Sequence, residues 1–341
     1  MKFLHFWTFL GIIFFLLSPI HSEEIHLKDG RVVYGKIEKK NRKYTVVSKN
    51  NRKKTFLNRD ILRIKKSKKY KKPKTDPKNF QDFLNLCKDG NLKMVKSILQ
   101  KNPSFLKKRN SYGDTALMVA SDNGNLNLVR FFIQKKAGID LANREGETPL
   151  MLATAGGYIE IVKFLIQNKA KVNLRNLDGE NALFIATENG YIDIIHLLIQ
   201  SDGNVNVKNR FRETPLMIAC DKGRLDIVRK LIYHDANVNS RNSDRETPLM
   251  IAADKGFEEI VRILLYNDAN VNYRNKFWWT ALMMASYNGY TPIVKLLLKH
   301  DANVKFQNKN KQNALTMAME NKHTEIIDLL KSYGAGLPEL R

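Results

Sequence analysis

Two cysteines, seven histidines and one aromatic run are the side chains of this chain best suited to reaction or recognition. Cys87 and Cys220 are the only thiols, enough for a single disulfide or an isolated nucleophile. The histidines are scattered, and no metal-spaced cysteine pair, glycine-rich phosphate loop or nucleophile elbow accompanies them. No nucleophile, base and oxyanion donor converge, so neither catalysis nor a metal or other cofactor is expected. The aromatic run is different. It reads NKFWWTALMMA over residues 275–285 and places Phe277, Trp278 and Trp279 side by side. Matching stretches elsewhere read REGETPLMLA, NRFRETPLMIA and SDRETPLMIA, with charged and small residues in that slot apart from Phe211. Aromatic and arginine side chains are the types enriched where proteins bind one another. The chemistry this sequence offers is therefore recognition.

The elements that must position these residues repeat. Leu117, Leu150, Leu183, Leu216, Leu249, Leu282 and Leu315 are spaced 33 apart. Ala120 to Ala318 and Val129 to Ile327 keep the same step, as do Gly124 to Gly289, after which Lys322 takes the glycine place. Self-similarity at such a period marks a stack of small structural units. Each unit reads as two helices. A Thr starts the first by accepting a hydrogen bond from a free amide, and a Pro often follows at the first helical position. Leu and Ala form a narrow buried face, and Gly ends the helix in a left-handed turn. The second helix, for instance YIEIVKFLIQNKA, carries Ile161, Val162, Leu165 and Ile166 on one side. An extended turn such as VNLRNLDGE leads onward.

The G-x-TPL-x-x-A opening, the mid-unit Gly and the A-x-V-N ending resemble the ankyrin repeat. The resemblance covers seven regular units over residues 110–341, preceded by a degenerate unit at 79–109, where Gly90 and Val95 sit 34 before their counterparts. It implies a mainly α ankyrin-repeat solenoid with polar terminal units. The polar residue usual after TPL is replaced by Met118, Met151, Phe184, Met217, Met250, Met283 and Thr316. Units about 10 Å apart put Cys87 and Cys220 roughly 40 Å from each other, far beyond the ~7 Å a disulfide tolerates. His234 and His300 end equivalent helices two units apart, roughly 20 Å by the same spacing, and cannot share a metal. The resemblance also implies that the turn before each Thr projects as a finger beside a concave face that holds partner proteins. Units four to six then present Phe211, Arg212, Arg245, Phe277, Trp278, Trp279 and Tyr287 as a protein-binding surface. The alternative is local packing, with one Trp folded over its neighbouring finger.

The first quarter of the chain has another character. Residues 23–78 hold 21 Lys or Arg against 6 Asp or Glu, most of the formal net charge of +24. Residues 23–66 alternate apolar and polar residues around Asp-Gly and Asn-Arg turns, a β-meander pattern. Leu27 to Ile37, L-x-DG-x-x-x-x-G-x-I, resembles the small SH3-like or Sm-like barrels of some exported bacterial proteins. Residues 67–78 read as a Lys-rich, extended linker. Lys65, Lys66, Lys68, Lys69, Lys71, Lys72 and Lys74 are candidates for an anionic lipid or polysaccharide surface. Residues 1–22 read as an export signal: Lys2, an apolar run from Phe9 to Leu17, then SPIHS and a cut after Ser22. An uncleaved anchor is the other reading. Either places the remainder outside the cytoplasmic membrane, in the periplasm, on the surface or secreted. The sequence thus describes an exported, non-catalytic scaffold for a protein partner, or an envelope adaptor working through its basic head; no nucleic acid or small-molecule substrate is expected.

Overall fold

The computed structural model describes residues 23–27, 32–40, 44–49, 52–57, 61–66 and 79–337. The signal reading at 1–22 and the linker lysines Lys68 to Lys74 lie outside the described residues. The chain divides into two compact units, Met1–Thr75 and Asp76–Arg341.

In the first, strands β1 (Glu23–Leu27), β2 (Val32–Lys40), β3 (Tyr44–Lys49), β4 (Arg52–Leu57) and β5 (Ile61–Lys66) pair antiparallel in the order β4-β3-β2-β1-β5. The first four form a meander, and β5 returns to β1 with Ile25 opposite Ile64. Lys65 and Lys66 end β5.

The second is a stack of helix pairs. The first helices are α1 (Phe80–Lys88), α3 (Ala116–Asp122), α5 (Pro149–Ala155), α7 (Ala182–Asn189), α9 (Pro215–Asp221), α11 (Pro248–Lys255), α13 (Ala281–Asn288) and α15 (Ala314–Glu320). The second helices are α2 (Leu92–Lys101), α4 (Leu126–Gln134), α6 (Ile159–Gln167), α8 (Ile192–Gln200), α10 (Leu225–Tyr233), α12 (Glu258–Tyr266), α14 (Thr291–Lys299) and α16 (Thr324–Ser332). The degenerate unit is a true pair. Its second helix α2 has ten residues where α4 has nine, and a 3-10 turn at Pro103–Leu106 follows.

Local chemistry explains the elements. Thr115, Thr148, Thr214, Thr247 and Thr280 cap the first helices, each side chain accepting from the amide three residues on; Asn181 and Asn313 do the same. Pro149, Pro215 and Pro248 occupy the first turn, where no amide is needed. The mid-unit glycines turn left-handed; at Gly256 φ is 79° and an added Cβ would stand 2.8 Å from the Tyr290 ring. Two separate constraints thus require Gly there. In the last unit Lys322 takes that conformation, with φ 61°. The Leu, Ala and Val columns are buried, apart from the half-buried Ile327 that ends the last, as are the Met118 to Met283 positions. Each first helix packs on the next, α11 on α13 for example, so one continuous core runs through the stack.

Two further ladders tie neighbours together. The residue after each mid-unit Gly packs on the Gly of the preceding unit: Tyr158, Tyr191, Arg224, Phe257, Tyr290 and His323. Where this residue is polar it also bonds back. Asn125 Nδ2 donates to the Cys87 carbonyl at 2.8 Å, and His323 Nε2 to the Tyr287 carbonyl at 3.1 Å. In the loops, the Asn206, Asn239 and Asn272 amides donate to the Asp235, Asp268 and Asp301 carbonyls of the following units at 2.9–3.1 Å.

Candidate functional site

The fingers are built by one asparagine each. Asn275 Oδ1 accepts from the Phe277 amide at 2.9 Å and the Trp279 amide at 3.0 Å, closing the turn. Asn209 and Asn242 do the same in units four and five. Adjacent fingers are joined backbone to backbone: Ser243 N donates to Phe211 O, Lys276 N to Asp244 O, and Lys309 N to Phe277 O. The third finger residue is left-handed throughout. Gly113, Gly146 and Gly179 fill it at first, then Arg212, Arg245, Trp278 and Lys311 with φ of 61–65°. A side chain there costs roughly 1–2 kcal/mol relative to Gly.

The asparagine amide has a partner of its own. Asn209 Nδ2 donates to Glu213 at 2.7 Å, Asn242 to Glu246 at 3.1 Å, and Asn308 to Gln312 at 3.1 Å; Asp114, Glu147 and Glu180 fill the same place earlier. In unit six this residue is Trp279, which has no acceptor to offer. A second column, at the end of the first helices, reads Asp122, Glu188, Asp221, Asp254 and Glu320, with Ala155 in unit two; in unit six it reads Tyr287. Both columns change in the same unit, and the two new rings touch: Trp279 and Tyr287 meet edge to face at 5.7 Å.

The seven residues singled out above therefore separate. Phe211, Phe277 and Trp278 are 52%, 52% and 47% exposed, and Arg212 and Arg245 are exposed on their fingers. Basic side chains lie over the exposed rings: Arg210 over Phe211, Arg274 over Trp278, and Lys276 over Phe277 at 4.8–5.3 Å. Trp279 corrects the expectation of three exposed neighbours. It is half-buried against the core because it turns inward to meet Tyr287, which is itself 45% exposed.

Phe277 and Trp279 form one end of a groove of about 390 Å³ across units four to six. Met217, Ile218, Met250, Ile251 and Met284 make its apolar floor. Glu213, Asp221, Glu246 and Asp254 face it, with Lys255 the one cation among the described residues that line it. The sequence reading missed these acids. Their shared step of 33 was the available signal, and it lay unused because the residues look like ordinary surface carboxylates.

The thiols take no part. Cys87 and Cys220 are free and buried. They share a column with Ser121, Thr154, Thr187, Ala253 and Ser286, a place for small side chains; the Ser and Thr hydroxyls there find no hydrogen-bond partner. Burial pushes both thiols well above the ordinary range, and at Cys220 the Asp221 carboxylate adds to it. His234 and His300 cap α10 and α14, and His300 Nδ1 bonds the Leu296 carbonyl at 2.9 Å. Among the described residues no three His, Cys, Asp or Glu side chains are placed to hold a metal, and no helix is long and apolar enough to cross a membrane.

Capped helix pairs stacked on one core, with bonded fingers beside a groove, define a helical-repeat protein. A family model described as ankyrin repeats (3 copies) matches residues 83–176, 128–209, 183–275 and 249–338, and the chain belongs to that family. No curated protein matches it. Ankyrin repeats generally mediate contacts between proteins and are typically non-catalytic.

Proposed function

We propose that this chain is an exported, non-catalytic scaffold that holds a protein partner against the fingers and groove of units four to six. One observation carries this reading. Unit six keeps the Leu282, Ala285 and Gly289 frame yet places Trp278 and Trp279 where its sisters have Gly, Arg or Lys followed by an acid or Gln, beside Phe277, whose place Tyr112 and Phe211 also fill with a ring. Phe277 and Trp278 remain about half exposed, an apolar surface that the frame does not require. Phe211, Arg212, Arg245 and Tyr287 extend it. Burying such anchors stabilises complexes by roughly 2–4 kcal/mol each. The test is capture from an envelope extract by the full chain and by its Phe277→Asp, Trp278→Asp variant. Loss of specific bands with an unchanged melting curve supports the reading, and identical capture by both proteins sinks it.

A second reading is favoured by the charge concentrated in residues 23–78. Here the basic head, a small SH3-like or Sm-like barrel, and the lysines Lys65 to Lys74 bind anionic lipid or polysaccharide. Salt separates the two, because polyanion binding weakens steeply with ionic strength and an aromatic interface does not.

A further inference from the structure

We infer that the partner segment seated in this groove is basic: an extended stretch of another protein that lays a lysine or arginine side chain against Trp279. The inference rests on the scaffold reading above and adds the chemistry of the partner.

The groove reverses the sign of the molecule. The chain carries a formal net charge of +24, yet among the described residues that line the groove Glu213, Asp221, Glu246 and Asp254 outnumber Lys255, while Lys222 pairs with Asp221 beside it and Arg212 and Arg245 stand on the fingers. Charges beyond about 8–10 Å are screened at physiological salt, so a bound side chain responds to this local field. Two of the carboxylates are held in place: Asn209 fixes Glu213 and Asn242 fixes Glu246 through neutral amides that leave the charge intact. Little side-chain freedom remains to be lost when a cation arrives. Lys222 and Lys255 stand 3.5 and 3.6 Å from Asp221 in exposed pairs. Such pairs are worth at most about 1 kcal/mol and yield to a better-placed cation.

Unit six completes the site. Its two acidic columns become Trp279 and Tyr287, while Glu246 and Asp254 hold the same columns one unit away. A cation on the Trp279 ring gains the attraction of the ring face and meets those carboxylates beyond it. Phe277 and Trp278 already carry Lys276 and Arg274, whereas among the described residues no cation lies over Trp279. Units repeat about every 10 Å and an extended chain rises about 3.3 Å per residue. A segment running along the groove therefore meets a new pair of acids at every third residue.

The test is selection of random dodecapeptides displayed on phage against the immobilised full chain, followed by anisotropy titration of the recovered peptides. Two variants are compared. Glu246→Gln with Asp254→Asn removes charge but keeps the asparagine bond, as Gln312 does naturally. Trp279→Gln removes the ring without adding charge and can still accept from Asn275, as Gln312 does from Asn308. The inference expects peptides with Lys or Arg at every third position, bound roughly tenfold or more weakly by each variant and weakened by salt. Acidic or uncharged peptides that need Phe277 overturn the basic partner and leave the scaffold reading standing. Basic peptides bound equally by wild type and both variants sit elsewhere and also overturn it. Failure to recover any competing peptide removes both readings. A concentration-dependent dimer abolished by Trp279→Gln assigns the groove to a second copy and overturns the separate partner.

Discussion

Unit five, residues 242–274, ends its finger in Arg245-Glu246, whereas unit six, residues 275–307, ends its finger in Trp278-Trp279. Behind those fingers the two share one frame, with Tyr287 in unit six where unit five has Asp254. Leu249 and Leu282 are each 1% exposed, Thr247 and Thr280 cap their helices in the same way, and Gly256 and Gly289 share φ of 79°. Even Arg245 and Trp278 have the same backbone, with φ of 64° and 65°. The frame thus fixes conformation and leaves composition open wherever a side chain meets solvent. What differs between the units is therefore information about binding, and it can be tested separately from the fold.

The largest effect should come from the shared frame. Leu249→Ala and Leu282→Ala each empty a fully packed place and should cost about 2–5 kcal/mol, whereas Phe277→Ala should cost less than about 0.5 kcal/mol. Denaturant titration reads all three. A small loss at Leu282 would mean that unit six is looser than unit five, and the equivalence drawn above would fail.

The glycine turn comes next. Gly256→Ala must hold φ near 79° and push aside the Tyr290 ring, 2.8 Å from the new Cβ. A loss of about 1–3 kcal/mol is expected. Lys322→Gly relieves the same conformation in the last unit and should gain about 1 kcal/mol. Equal and negligible shifts from both would show that backbone conformation does not limit these turns.

A smaller effect separates the small-residue column. Cys220 in unit four corresponds to Ala253 in unit five and Ser286 in unit six, so Cys220→Ala should cost under about 1 kcal/mol. Native thiols should not react with a disulfide reagent until denaturant is added. Burial raises both thiols in the folded chain, so the unfolded chain loses its protons first as pH rises. Stability is full well below about pH 8.5 and falls above it, by about 1 kcal/mol per cysteine between pH 8.5 and 9.5. A flat pH profile in a protein lacking only these thiols, beside a falling one in the parent, identifies the source.

Most of the repeat frame was legible in the sequence because its constraints are local and periodic. Thr148, Pro149, Leu150 and Gly157 each answer to one backbone position, and the same answer recurs 33 residues on. Contacts between units were harder to read. Asparagine abundance can follow from codon usage, yet Asn209, Asn242 and Asn275 close fingers and Asn206, Asn239 and Asn272 bridge loops. The site was half legible. Exposure of Phe277 and Trp278 follows from their place on a turn. The inward rotation of Trp279 needs Tyr287, eight residues away on α13, and only the folded unit brings that ring alongside.

The smallest expected change in stability is the most informative about function. Replacing Trp278-Trp279 with the Arg-Glu of Arg245-Glu246 should shift unfolding free energy by less than about 1 kcal/mol, because two effects oppose each other. The ring contact with Tyr287 is lost, worth about 0.5–1.5 kcal/mol. In exchange Glu at 279 accepts from Asn275 as Glu246 accepts from Asn242, a bond worth about 0.5–1.5 kcal/mol. Arg at 278 meets the same left-handed backbone that Arg245 already occupies. Trp279→Ala removes the ring with nothing in return and should cost about 1–3 kcal/mol, so comparison of the two variants isolates the compensation. Partner capture should vanish in both. If the Arg-Glu exchange destabilises the chain as much as Trp279→Ala and whatever remains folded still binds, the tryptophan is there to pack against Tyr287, and the difference between units five and six concerns stability alone.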